Sequence, residues 1–197
     1  MRDEWKNLIE SVIQESITVK NRLMPDLAPV LDQAIQQLVS TIRKGGKILL
    51  CGNGGSAADA QHLAAELVIR LKSSNDRPAI AALALTVDTS ILTAGGNDYG
   101  FDYVFSRQIE ALGKHGDTLI ALSTSGNSPN VIEAVNMAHE KGLYVIGLLG
   151  GDGGKLKKLV DLPIIIPSNN TARIQECHIL IGHILCEILE NELFTKV

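Results

Sequence analysis

The chain has little of several things that would define its class. Aromatic residues make up only 4% of 197 residues, so a core must be built from Ile, Leu, Val and Ala. Cysteine occurs three times, at Cys51, Cys177 and Cys186. These thiols are too few and too scattered for a disulfide scaffold or a cysteine-based zinc site, which points to a reducing, cytoplasmic setting. No apolar run approaches the roughly 18–20 residues of a membrane span. The opening Met1-Arg2-Asp3-Glu4-Trp5-Lys6 also lacks the apolar region of a signal peptide. Basic tracts are missing as well. With 18 Lys+Arg against 22 Asp+Glu the formal charge is −4, which argues against nucleic acid as a partner. What is left is one globular domain spanning 1–197.

What is present is patterned. Residues 1–45 read as a pair of helices. Leu8, Ile9, Val12, Ile13 and Ile17 recur at helical spacing, and a second run from Leu27 to Ile42 follows Pro25. Beyond Lys44-Gly45-Gly46 the pattern changes to five short apolar runs, 47–52, 79–85, 117–123, 144–149 and 162–167. Helix-like stretches lie between most of them (56–71, 102–112, 129–141), and a long amphipathic segment covers about 172–193. Continuous apolar strands alternating with helices predict an α/β three-layer sandwich, with a five-stranded parallel sheet covered on both faces. Ligands of such sheets bind beyond the C-terminal strand ends.

Two loops at those ends carry chemistry. The first is Cys51-Gly52-Asn53-Gly54-Gly55-Ser56, in which three glycines let the backbone approach a ligand and Ser56 is expected to cap the next helix. It is neither a Walker loop nor a dinucleotide fingerprint, and a plain strand-to-helix turn would use the same residues. The second is Ser123-Thr124-Ser125-Gly126-Asn127-Ser128-Pro129. Its hydroxyls, amides and helix N-terminus form a neutral cradle suited to phosphate, although a serine-rich cap would read similarly. Together the loops favour a phosphorylated small molecule.

His62 and Glu66 stand four apart on the helix after the first loop, and Gln175 and His183 share a side of the last helix. These four offer nitrogen and oxygen ligands for zinc, a weak signal on spacing alone. His115, His139 and His178 read as structural or solvent-facing. Asn97 and Asp98, in a polar loop, have the chemistry to bind a polyol. Arg70 and Arg77 flank a loop that would bring either one over an anion.

Taken together, the 51–62 segment with Glu66, the run Asp88-Thr89-Ser90-Ile91-Leu92-Thr93-Ala94 into Asn97-Asp98-Tyr99-Gly100, the Ser123–Ser128 loop, Arg173-Ile174-Gln175-Glu176 and Gly182-His183 resemble the sedoheptulose 7-phosphate (phosphoheptose) isomerases of the sugar isomerase (SIS) domain superfamily. The likeness runs along essentially the whole chain. It implies a flavodoxin-like sheet between helices, with the N-terminal helices building a homotetramer. It implies an aldose–ketose isomerase that converts sedoheptulose 7-phosphate to an aldoheptose 7-phosphate through an enediol, in the synthesis of bacterial surface-glycan precursors. Carried over by residue, Ser123, Thr124, Ser125 and Ser128 would hold the phosphate. Asn53, Gly54, Gly55, Ser56, Glu66, Asn97, Asp98 and Gln175 would line the substrate. His62, Glu66, Gln175 and His183 would bind one zinc per subunit, with Glu66 and His183 as the acid–base pair. The chain departs from the family's usual pattern at Ile69-Arg70-Leu71, at Arg77-Pro78 and at Gly95.

Two other readings stand beside this one. Zinc-free relatives of the same fold act as binding or scaffold proteins, including one that associates with the bacterial replication initiator; the presence of all four ligand residues weighs against that role here. An isomerase for another sugar phosphate would share every motif above.

Overall fold

A computed structural model describes residues 2–194. Five strands, β1 (Ile48–Cys51), β2 (Ala82–Ala84), β3 (Thr118–Ser123), β4 (Tyr144–Gly150) and β5 (Leu162–Ile166), form one parallel sheet in the order β2-β1-β3-β4-β5. The helices are α1 (Asp3–Arg43), α2 (Gly55–Val68), α3 (Thr89–Asp98), α4 (Ser106–Leu112), α5 (Pro129–Glu140) and α6 (Thr171–Phe194). Side-chain alternation along the strands separates two cores. Ile48 and Leu50 pack with residues of α1, α2 and α6, whereas Leu49 and Cys51 pack with residues of α4 and α5. Each buried Leu or Ile contributes about 1.5–3 kcal/mol. From β1 the chain passes through α2 to β2 on one side, then through α4 to β3 on the other. Strand order therefore reverses between β1 and β3, which opens a crevice at their C-terminal ends.

The residues expected to form two N-terminal helices form one, with Pro25 and Pro29 inside α1. Each proline removes one hydrogen bond, from the carbonyls of Asn21 and Pro25. All three positions are exposed, on the side of the helix where solvent can replace the missing donors. Burial on both sides of the interruption, at Val19 and Leu23 before it and Leu31, Ala34 and Leu38 after it, holds the axis together. Polar contacts also dock the helix, among them two that are buried or partly so. Thr41 Oγ1 lies 2.7 Å from Thr118 Oγ1 at the foot of β3. The buried Arg173 guanidinium of α6 donates to the Val12 carbonyl at 2.7 Å and to Glu176 at 2.5 Å. The outer half of α1 leaves Trp5, Leu8, Ile9, Val12, Ile13 and Ile17 exposed.

The second strand is shorter than its apolar run, because β2 is an edge strand paired only with the four-residue β1. Asn97 and Asp98 end α3 rather than sit in a loop, and Asp88 caps that helix by accepting from the Ile91 backbone N–H at 2.9 Å.

Candidate active site

The loop after β1 delivers the chain into α2. Gly54, with φ of 57°, occupies the N-cap position, so Ser56 lies inside the first turn, buried, and does not cap the helix as expected. Gly55 leaves room for the Gln175 amide of α6, which a side chain there would push aside. α2 and α6 run side by side from this point. About two turns further along, Gly182 lets Leu63 pack directly on the α6 backbone; a Cβ at 182 would stand 2.5 Å from both Leu63 methyl carbons.

That close packing brings three side chains together. His62 Nε2 is 2.8 Å from His183 Nε2, with the rings edge to face at 73°. Glu66 Oε1 is 3.4 Å from His62 Nε2, and ligand atoms of all three residues lie within 4.8 Å of one another. Two imidazole nitrogens and one carboxylate, half open to solvent, are a donor set that suits zinc. Gln175 is eight residues from His183, about 12 Å along the helix axis. Its amide lies on Gly55, at the head of α2.

The second loop follows β3. Ser123 Oγ and Ser128 Oγ are 2.9 Å apart, and Pro129 takes the first helical position of α5. The Ser125 hydroxyl accepts from the Asn127 backbone N–H at 3.1 Å. Thr124 and Ser125 line a cavity of about 380 Å³ shared with Gly150, Asp152, Asn169 and Thr171. A larger groove, about 950 Å³, lies elsewhere, between α1 and α6, floored by Leu31, Ile35, Val39, Ile184 and Ile188.

Other sequence-based candidates fall differently. Asn97 and Asp98 are exposed and bond to each other, with Asn97 Nδ2 donating to Asp98 Oδ1 at 2.7 Å. Among the described residues no hydrogen bond joins them to either loop. Arg77 does not close over an anion. Its buried guanidinium donates to Glu190 Oε1 at 2.6 and 2.9 Å and to the carbonyls of Glu66 and Leu67 at 2.8 Å, clamping the last turn of α2. Burial acts to raise the Glu190 pKa. The Leu71 N–H, Arg77 and Asn75 outweigh it and hold the carboxyl below its ordinary value. Arg70 is exposed, 3.7 Å from Asp76. His178 is structural, as expected. It contacts the Leu149 carbonyl at 3.2 Å, and burial drives its pKa down to about 4, so it is neutral. His115 and His139 are exposed.

Two polar residues escaped the sequence reading. Asp59, one turn before His62, has a buried oxygen with no partner among the described residues. Burial raises its pKa, partly offset by the charges of His62 and His183. Its i, i+3 spacing to His62 was the available signal. Asn130, in the first turn of α5, pairs with Asn53 through two hydrogen bonds of 2.8 Å, and no local pattern marks it.

With the geometry established, comparison with known proteins is specific. A SIS domain model matches residues 13–150. The phosphoheptose isomerase of Leptospira biflexa is 56% identical over 97% of this chain and 98% of its own. The solved phosphoheptose isomerase GmhA of Neisseria gonorrhoeae superposes with a TM-score of 0.90 at 47% identity, covering 95% of this chain and 99% of that one. A phosphoheptose isomerase from Francisella tularensis gives a TM-score of 0.90 at 41% identity, covering 97% and 100%. The resemblance read from the motifs holds: this chain belongs to the phosphoheptose isomerase family of SIS-domain proteins.

Proposed function

We propose that the chain is an aldose–ketose isomerase acting on sedoheptulose 7-phosphate, with one zinc ion per subunit. The observation that carries this reading is the convergence of His62, Glu66 and His183 in a member of this family, on the helix pair beside a neutral serine cradle. Ser123, Thr124, Ser125 and Ser128 hold the phosphate through hydroxyls, backbone amides and the α5 N-terminus. The glycine loop and Gln175 line the sugar, and Asn97 and Asp98 close over it from α3. The exposed residues of α1 and α3 fit a homotetramer, with the α1 helix as its main contact. The three free, buried cysteines suit a cytoplasmic location.

His62, Glu66 and His183 would hold the metal, and Gln175 would complete the set as the family resemblance implies. When bound, zinc acts as a Lewis acid that polarises the sugar carbonyl. Glu66 removes a proton from C1 of the ketose and returns it to C2. His183 passes a proton to O2 and takes one from O1, the oxygen transfer to which imidazole is suited. The phosphate cradle fixes the far end of the substrate, so its binding energy orients C1 and C2 against Glu66.

The test is NMR of sedoheptulose 7-phosphate with the purified protein, before and after chelation and again after zinc is restored. Aldose anomeric signals that disappear on chelation and return with zinc support both reaction and metal. Folded protein that turns nothing over rejects the isomerase. Wild-type turnover by both Glu66→Gln and His183→Gln rejects the residue assignment; the expected loss is on the order of 100- to 10,000-fold.

A further inference from the structure

One partly buried contact joins the loop after β1 to the first turn of α5 across the β1–β3 crevice. Asn53 Nδ2 donates to Asn130 Oδ1 at 2.8 Å, and Asn130 Nδ2 donates to Asn53 Oδ1 at 2.8 Å. Asn130 is 2% exposed and Asn53 half-buried, so removing Asn53 leaves the buried Asn130 amide without its partner. Among the described residues these are the only hydrogen bonds between residues 52–57 and residues 123–131. The loop holding Asn53 is otherwise glycine at 52, 54 and 55, with no other side chain to fix it before α2 begins.

We infer that Asn130, acting through Asn53, is a positioning residue that fixes the span between the phosphate cradle and the acid–base residues of α2 and so selects the carbon number of the sugar phosphate. The inference rests on the isomerase reading above. A substrate anchored by its phosphate at the Ser123–Ser128 end reaches Glu66 only if the intervening carbons match that span. A change of about 1 Å displaces the reacting carbons by most of a bond length, and misplacement of that size costs on the order of 100-fold in rate. Asn130 touches neither reacting atoms nor, on this reading, the phosphate.

The experiment compares kcat/KM for a seven-carbon 2-ketose 7-phosphate and a six-carbon 2-ketose 6-phosphate in the same sample. Their ratio is independent of the fraction of protein that is folded, so a merely structural defect leaves it unchanged. In Asn130→Ala and Asn130→Asp the preference for seven carbons should fall by on the order of tenfold or more, with inorganic phosphate binding altered less than about threefold. The Asn130→Asp carboxylate cannot donate to Asn53 Oδ1. Protonated at lower pH it can, so the preference returns in that variant and not in Asn130→Ala. Asn53→Ala should lower the ratio similarly, with no further fall in the double variant, because the residues act as one unit. An unchanged ratio in both Asn130 variants, with active wild type, overturns the inference. Wild type inactive on both ketoses overturns the isomerase reading and the inference with it.

Discussion

Gly182→Ala tests how the two helices of the triad are held together. The added methyl carbon would lie 2.5 Å from both Leu63 methyl carbons and 3.0 Å from Leu63 Cγ. Carbon atoms rest about 3.5–4.0 Å apart, so the shortage is about 1 Å. Leu63 has nowhere to go: it is 2% exposed, and the void beside it, about 10 Å³, barely admits one water. Overpacking of this kind costs about 1–3 kcal/mol, while Gly→Ala inside a helix returns about 1 kcal/mol. The net stability loss is thus at most about 2 kcal/mol, a Tm fall of a few degrees for a chain of this size. The site should suffer more. If α2 yields by about 1 Å, His62 parts from His183, and kcat/KM falls on the order of 100-fold. Zinc affinity, read by chelator competition, falls tenfold or more. Adding Leu63→Ala restores the space, so activity recovers in part while stability drops by a further 2–5 kcal/mol or so. The opposed movement of activity and stability is the signature. Wild-type turnover and zinc affinity in Gly182→Ala would refute the argument that this glycine sets the triad.

Other outcomes follow from the buried polar groups. His178 has a folded pKa of about 4 against an unfolded value of 6.5; its contribution is therefore full above pH 6.5 and is lost as pH falls towards 4, about 3 kcal/mol in all. Urea midpoints followed across that range should flatten in His178→Gln, and equal slopes in the two proteins would reject the assignment. Arg77→Leu should cost about 3–5 kcal/mol by stranding Glu190 in the interior, with part of the loss regained in Arg77→Leu/Glu190→Leu. The milder Arg77→Lys should leave KM for the sugar phosphate unchanged; a marked rise in KM would restore Arg77 as an anion-binding lid.

The sheet was legible because buried parallel strands must be continuously apolar, and five such runs gave five strands. The two loops after β1 and β3 were legible as strand-to-helix turns because glycine, serine and proline have positional meaning there. Errors came where local rules met tertiary context. Pro25 signals a break, yet it lies on the exposed side of α1, and core contacts before and after it carry the helix through. Ser56 resembles a cap, but Gly54 holds that position with a positive φ that serine would adopt only under strain. Arg77 has the charge of an anion lid, and only the distant Glu190 reveals it as a clamp. Asn130 was invisible because its partner lies 77 positions away. His62, Glu66 and His183 stood out as potential ligands, but spacing alone could not bring α2 against α6; Gly182, noted only as a motif letter, turns out to be what permits it.

The lone tryptophan has a practical consequence. Trp5 lies on the outer half of α1, 56% exposed, among Leu8, Ile9 and Ile13. Because no second indole exists in the chain, fluorescence excited at the red edge reports this one position without background from the catalytic end. A subunit that docks on α1 strips water from the indole and shifts its emission to the blue. The association constant is then readable from a dilution series of unlabelled protein, in parallel with turnover and in the same cuvette.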